Sequence, residues 1–174
     1  ICLGGQPAFA LPVYEVRSPW ELPLYLGLGV LASLVSLTYT QLNQLARRCF
    51  QGQIPGLGWL DAVPKPVKPI MGGACVGLVA LHWPQIMGIG YETIQAMLQD
   101  VEFSLSLLVI LLVLKLVITA ISLGSGLVGG VFAPAMFLGA SLGAAYGKVL
   151  GLLPALSVYI AAPPAYAMVG MAAV

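Results

Sequence analysis

Gly124-Ser125-Gly126-Leu127-Val128-Gly129-Gly130-Val131-Phe132-Ala133-Pro134 lies between two strongly apolar stretches and carries no charge. A water-facing loop is expected to contain charged residues, so this one reads as backbone at membrane depth. Non-helical backbone is tolerated there only where protein buries it or where it lines a watery cavity. Pro134 stands near the start of the following helix, where its missing N–H costs nothing. Val131 and Phe132 then present free N–H donors at a helix N-terminus. Free donors together with the positive end of a helix dipole make an anion site. A halide suits such a site, because a few donors hold it without the full countercharge that would stop it leaving. Gly124, Gly126, Gly129 and Gly130 let the backbone approach the ion without Cβ atoms in the way.

Other readings compete for the same glycines. Gly124-x-Gly126-x-x-Gly129 formally matches a dinucleotide-binding fingerprint, but that fingerprint follows a strand, and here a long apolar helix precedes it. The glycines could also serve only close helix crossing, or a hinge that binds nothing. The chemistry of the run alone leaves those two open.

Working outward, Leu105 to Leu114 contains one Ser and otherwise only Leu, Val and Ile. It anchors the strongest apolar helix, expected over 103–123. Lys115 falls inside this helix, where an ammonium costs about 2.5–3.5 kcal/mol on insertion scales, so it must face protein or water. Its functional reading is a pore-side positive charge that raises the local anion concentration. Its structural reading is a bond to backbone carbonyls or an ion pair. After the glycine run a helix is expected over 132–153, with Gly139, Gly143 and Gly147 on one face for helix packing. A last helix is expected over 165–174, after Pro163-Pro164.

Upstream, residues 1–23 hold Pro7, Pro12, Pro19 and Pro23 and read as a connecting loop. A helix over 24–50 begins lipid-like and turns polar from Gln41 to Arg48. Arg47, Arg48, Lys65 and Lys68 face only Asp61 around the loop that follows, which places this loop on the cytoplasmic side. A helix over 69–86 comes next, and His82 near its end reads as interfacial. Residues 88–102 carry no Lys or Arg and suit the opposite side. Within them, Glu92 reads as a cap for a short helix starting near Thr93.

The composition agrees with this order of spans. Hydrophobic residues make up 60% of the chain and charged residues 7%, against about 25% charged in soluble domains. At roughly 20 residues per span, the length leaves room for about four to six membrane segments. The expected fold is all-α, a polytopic integral membrane protein with broken helices. A net charge of +1 offers nothing to nucleic acid. Cys2, Cys49 and Cys75 have neither metal-ligand nor disulfide-framework spacing. No paired carboxylates and no nucleophile with its base are evident, so no catalytic residue, metal or cofactor is expected, and the chain does not read as an enzyme. It begins at Ile1 and ends at Val174 within an apolar helical pattern, so it reads as a piece of a longer protein.

Gly129-Gly130-Val131-Phe132-Ala133-Pro134 resembles the GxFxP signature of CLC chloride channels and chloride/proton antiporters. Leu114-Lys115-Leu116-Val117-Ile118-Thr119, Gly124-Ser125-Gly126, Phe137-Leu138-Gly139-Ala140 and Leu142-Gly143 follow the order seen in prokaryotic members, as does Gly88-x-Gly90-Tyr91 upstream. The resemblance covers essentially residues 1–174 and corresponds to most of the second of two inverted repeats. It implies transmembrane chloride transport, first by chloride/proton exchange and alternatively as a passive channel, in a prokaryotic inner membrane; a membrane-embedded structural subunit that binds no ion is the reading from another class. It also implies that the backbone N–H groups of Val131 and Phe132 bind chloride. The remaining parts that it implies lie outside these residues: a Ser and a Tyr hydroxyl at the ion, the gating and proton-relay Glu residues, and the helices of a homodimer interface.

Overall fold

The computed structural model describes residues 21–56, 58–87, 90–99, 103–152 and 163–174, and among these described residues there are six α-helices. They are α1 (Glu21–Phe50), α2 (Val67–His82), α3 (Tyr91–Leu98), α4 (Leu105–Ser125), α5 (Phe132–Gly151) and α6 (Pro163–Ala173). No strand occurs among the described residues, and the fold is all-α. Most of the loop expected over 1–23, together with Gly88, Asp100 and Glu102, lies outside the described residues.

Local chemistry sets the helix ends. α1 begins with Glu21 and ends with Arg47 and Arg48 in its last turn, charges that complement the helix dipole at both ends. The chain leaves α1 through Gly52, whose φ is +69°. Gln53 N–H donates to Arg48 O and Gly52 N–H to Cys49 O, both at 3.0 Å, which is the Schellman pattern. The second helix, expected over 69–86, closes instead at His82. Pro84 follows, and the residue before a proline is pushed out of the helical region; Trp83 sits at φ −128° and ψ 78°. Pro84–Ile86 forms a separate 3-10 turn. The last helix starts at Pro163 rather than 165, because prolines in a first helical turn lack N–H groups that would have no partner there. The short helix α3 starts at Tyr91 with Gly90 before it and no side-chain cap, so Glu92 stands in the first turn as an exposed residue and does not cap the helix. Ser104 caps α4 by accepting the Leu107 N–H at 3.2 Å.

Two of the described helices, α1 and α4, are long and apolar enough to cross a membrane, and α2 holds a shorter apolar stretch. Along α1, Leu22, Leu26, Val30, Leu34 and Leu37 are exposed. On α4, Leu108 and Leu111 are buried while Val109 and Val113 are exposed. The apolar surface therefore faces outward as well as inward, which fits lipid as solvent. The main core joins α3, α4 and α5 through Ile94, Leu98, Leu108, Leu111 and Phe137.

Helices α5 and α6 pack backbone to backbone. A Cβ on Gly139 would collide with the Gly170 carbonyl, one on Gly143 with the Tyr166 carbonyl, and one on Gly147 would lie 2.8 Å from Pro163 Cα. This close seat, along with Phe137 buried against Ile94 and Leu98, fixes the direction in which the N-terminus of α5 points.

Candidate anion site

The glycine run begins where α4 stops. Gly126 adopts φ +91°, a left-handed conformation that costs any residue with a Cβ about 1–2 kcal/mol. Its N–H donates to Leu123 O at 3.3 Å, and Leu127 N–H donates to Ser122 O at 3.1 Å, a second Schellman ending. The chain then crosses to Val131, which has helical dihedrals (φ −91°, ψ −23°) and caps α5.

At the head of α5 the first helical bond is Ala135 N–H to Val131 O, 3.2 Å. The N–H groups ahead of it have no acceptor within the helix. They belong to Val131, Phe132 and Ala133, since Pro134 has none. The structure thus places the two donors chosen from the sequence side by side and adds a third. Val131 and Phe132 are open, with Phe132 75% exposed.

The glycines separate by role. Gly124 is a packing glycine, because a Cβ there would lie 2.7 Å from Ala46 Cβ on α1. Gly126 is required by its positive φ. Gly129 and Gly130 have neither reason: their φ angles are not positive, and a Cβ would meet only Leu123 Cδ2 at 3.9 Å for Gly129 and nothing for Gly130. Packing within the described residues does not demand the two glycines nearest the α5 donors.

Cavities flank the run, and two of them bear on the head of α5. One, about 410 Å³, lies between Lys115, Thr119 and Ser122 on α4 and Gly129, Gly130 and Pro134. Lys115 is 3% exposed. Its Nζ donates to Ile86 O at 2.9 Å and stands 4.9 Å over the Phe137 ring. Its ammonium is thus turned into protein, bonded to a carbonyl, at the wall of the cavity beside the glycine run. The second cavity, about 330 Å³, is lined by Tyr39, Asn43 and Arg47 of α1 and by Val131. The Tyr39 hydroxyl donates to Val131 O at 3.2 Å. Tyr39 drew no attention in the sequence; the only signal was its spacing with Asn43 and Arg47 on one face of α1.

The remaining residues singled out in the sequence lie apart from this site. His82 is exposed in the last turn of α2, its ring 5.8 Å from that of Trp83. Cys49 and Cys75 are free thiols.

The chain has clear relatives. The family model for voltage gated chloride channels matches residues 1–174. Chloride channel protein CLC-e of Arabidopsis thaliana is 42% identical over 99% of this chain and 25% of its own length. CLC-f of the same plant is 36% identical over 98% of this chain and 22% of its own length. A ClcB-like chloride channel protein of Ralstonia nicotianae is 34% identical over 98% of this chain and 37% of its own length. The chain therefore spans between about a fifth and two fifths of these relatives. With the signature at the head of α5 and the family match running from end to end, the chain belongs to the CLC family of chloride channel proteins.

Proposed function

We propose that this chain forms part of a transmembrane chloride pathway, in which the backbone N–H groups of Val131 and Phe132 hold partly desolvated chloride at the head of α5. The observation that carries this reading is the pair Gly129 and Gly130. They sit against three N–H groups with no helical acceptor, and neither packing nor φ requires glycine there. A ligand that comes close to the backbone does require it. The Phe132 side chain narrows the approach, and Lys115 adds positive potential to the cavity wall beside it. Gly126 and Pro134 shape the two ends of the crossing. Chloride is the substrate, and the pathway needs no cofactor.

Proton-coupled exchange is what the sequence resemblance implies. Passive conduction is the second reading; the relatives' names, those of chloride channels, support chloride transport in either form. The proposal includes multi-pass insertion and homodimerisation through helices outside residues 1–174. A prokaryotic inner membrane is what the sequence resemblance implies, and the relatives include plant and bacterial proteins alike.

The test uses the full-length parent protein in liposomes: chloride efflux down a gradient, with external pH recorded at the same time. Chloride movement that drives protons the opposite way establishes exchange. Chloride movement without a proton signal establishes a channel. Folded protein that moves no chloride overturns the reading.

A further inference from the structure

The carbonyl of Val131 and the N–H of Phe132 belong to one peptide unit, and this unit is gripped from α1. Tyr39 lies in the middle of α1, 8% exposed, with its ring packed against Leu116 of α4 and Leu138 of α5. Its hydroxyl donates to Val131 O at 3.2 Å across 92 residues of sequence. The same carbonyl accepts Ala135 N–H, also at 3.2 Å. A carbonyl needs only one donor to be satisfied, so the helix already meets this requirement. What Tyr39 adds is a second donor on the far side of the peptide from any bound ion.

A donor at a carbonyl draws charge through the amide and makes the N–H of the same peptide a stronger donor, because chained hydrogen bonds polarise one another. The phenol also fixes the plane of the peptide, and with it the direction of the N–H. Both effects are largest where water is scarce. Ser36, Thr38 and Thr40, the other hydroxyls of this stretch of α1, serve other ends: Ser36 donates to Val174 O at 3.0 Å, Thr38 to Leu34 O at 2.8 Å, and Thr40 to Ser36 O at 3.0 Å.

We propose that Tyr39 is a positioning residue of the anion site, which orients and polarises the Val131–Phe132 peptide so that the Phe132 N–H binds chloride more tightly. The inference rests on the reading of Val131 and Phe132 as the chloride donors. It concerns a residue that never touches the ion and a bond that a purely structural tether would also make, so the test must separate the two.

The test is made on the full-length parent protein in detergent. Chloride affinity is read by calorimetry, stability by thermal unfolding, and the Phe132 amide by NMR of protein labelled with ¹³C-Val and ¹⁵N-Phe, with and without chloride. Tyr39→Phe deletes only the hydroxyl and leaves the Val131 carbonyl bonded to Ala135. We expect roughly 1.5- to fourfold weaker chloride binding, because chained polarisation strengthens a charge-assisted donor by only about 10–30%, and a smaller chloride-induced shift of the Phe132 amide. Substituting 3-fluorotyrosine at position 39, with a more acidic hydroxyl and nearly the same shape, should bind chloride at least as tightly as the parent. It also carries the test if Tyr39→Phe does not fold. Tyr39→Phe with unchanged affinity and amide shift overturns the proposal, even if it melts earlier, because Tyr39 is then only a tether. Fluorotyrosine that weakens binding overturns it as well. If the Phe132 amide of the parent protein does not respond to chloride, the donor reading itself fails and this inference falls with it.

Discussion

Gly130 and Gly139 are nine positions apart and predict different phenotypes. A side chain at Gly130 meets open space, so Gly130→Val should leave thermal stability within about 0.5 kcal/mol, as for other substitutions away from packed features. It should nevertheless screen the α5 donors and weaken chloride binding about tenfold or more, corresponding to a lost charge-assisted hydrogen bond of about 1.5–3 kcal/mol. Gly139→Ala should act first on stability. Its methyl drives into the Gly170 carbonyl, overpacking that costs about 1–3 kcal/mol, and it leaves the donors unscreened, so any loss of chloride binding should come from the shifted seat of α5. Calorimetry and thermal unfolding of the two variants, measured side by side, check both claims. Phe132→Ala should widen the approach, raising single-turnover flux while weakening halide affinity; equal flux and affinity would remove Phe132 from the pathway. At this scale the helix start and its N–H groups without a helical acceptor were legible beforehand, because a proline three residues into a helix and the residues before it are local facts. The different roles of the glycines were not legible. Four identical letters hide one packing contact, one positive φ and two open positions, and only the neighbours across the fold tell them apart.

Lys115 is where two elements meet. Its ammonium on α4 donates to Ile86 O in the 3-10 turn that follows α2, 29 residues away in sequence. Lys115→Met would leave that carbonyl without its bond and should cost about 1–3 kcal/mol, seen as a lower unfolding temperature in detergent. If the ammonium also raises anion concentration in the neighbouring cavity, flux at low salt should fall more than flux at high salt, since screening removes that advantage. The sequence required Lys115 to face protein or water, because lipid would be too costly, but it could not name the carbonyl. The helices were readable in the same partial way. Leu105–Leu114 could be nothing but a buried or lipid-facing helix. Pro84 and Pro163 were visible as letters, yet their effect depended on position: one ends a helix and the other opens one.

Across the whole molecule, α1 is 30 residues long, about 45 Å at 1.5 Å per residue, against a hydrocarbon core of about 30 Å. It must tilt or extend beyond the bilayer, and its polar last turns are suited to emerging from it. Leu34 sits on its outward stripe and is exposed. Leu34→Asp places a carboxylate toward lipid, at about 2.5–3.5 kcal/mol near a span centre. The inserted fraction, read by glycosylation mapping or alkali extraction, should fall sharply. Unchanged insertion would mean that this face meets protein in the full-length parent. The chain spans only part of the length of its relatives, and no periodicity in 174 residues could say which apolar face meets lipid and which meets the rest of the protein.

The backbone-to-backbone seat of α5 on α6 has a mechanical consequence. At Gly139 and Gly143 the main chain of α5 lies directly against the main chain of α6, so α5 cannot slide or rotate there without one backbone striking the other. Such a seat makes α5 a stiff strut and holds the free N–H groups at its tip in one direction. On the proposed reading, an arriving ion pays little reorganisation energy and a departing one leaves no collapsed site behind, which suits rapid turnover better than tight capture. Amide hydrogens along 137–147 should exchange among the slowest in the protein.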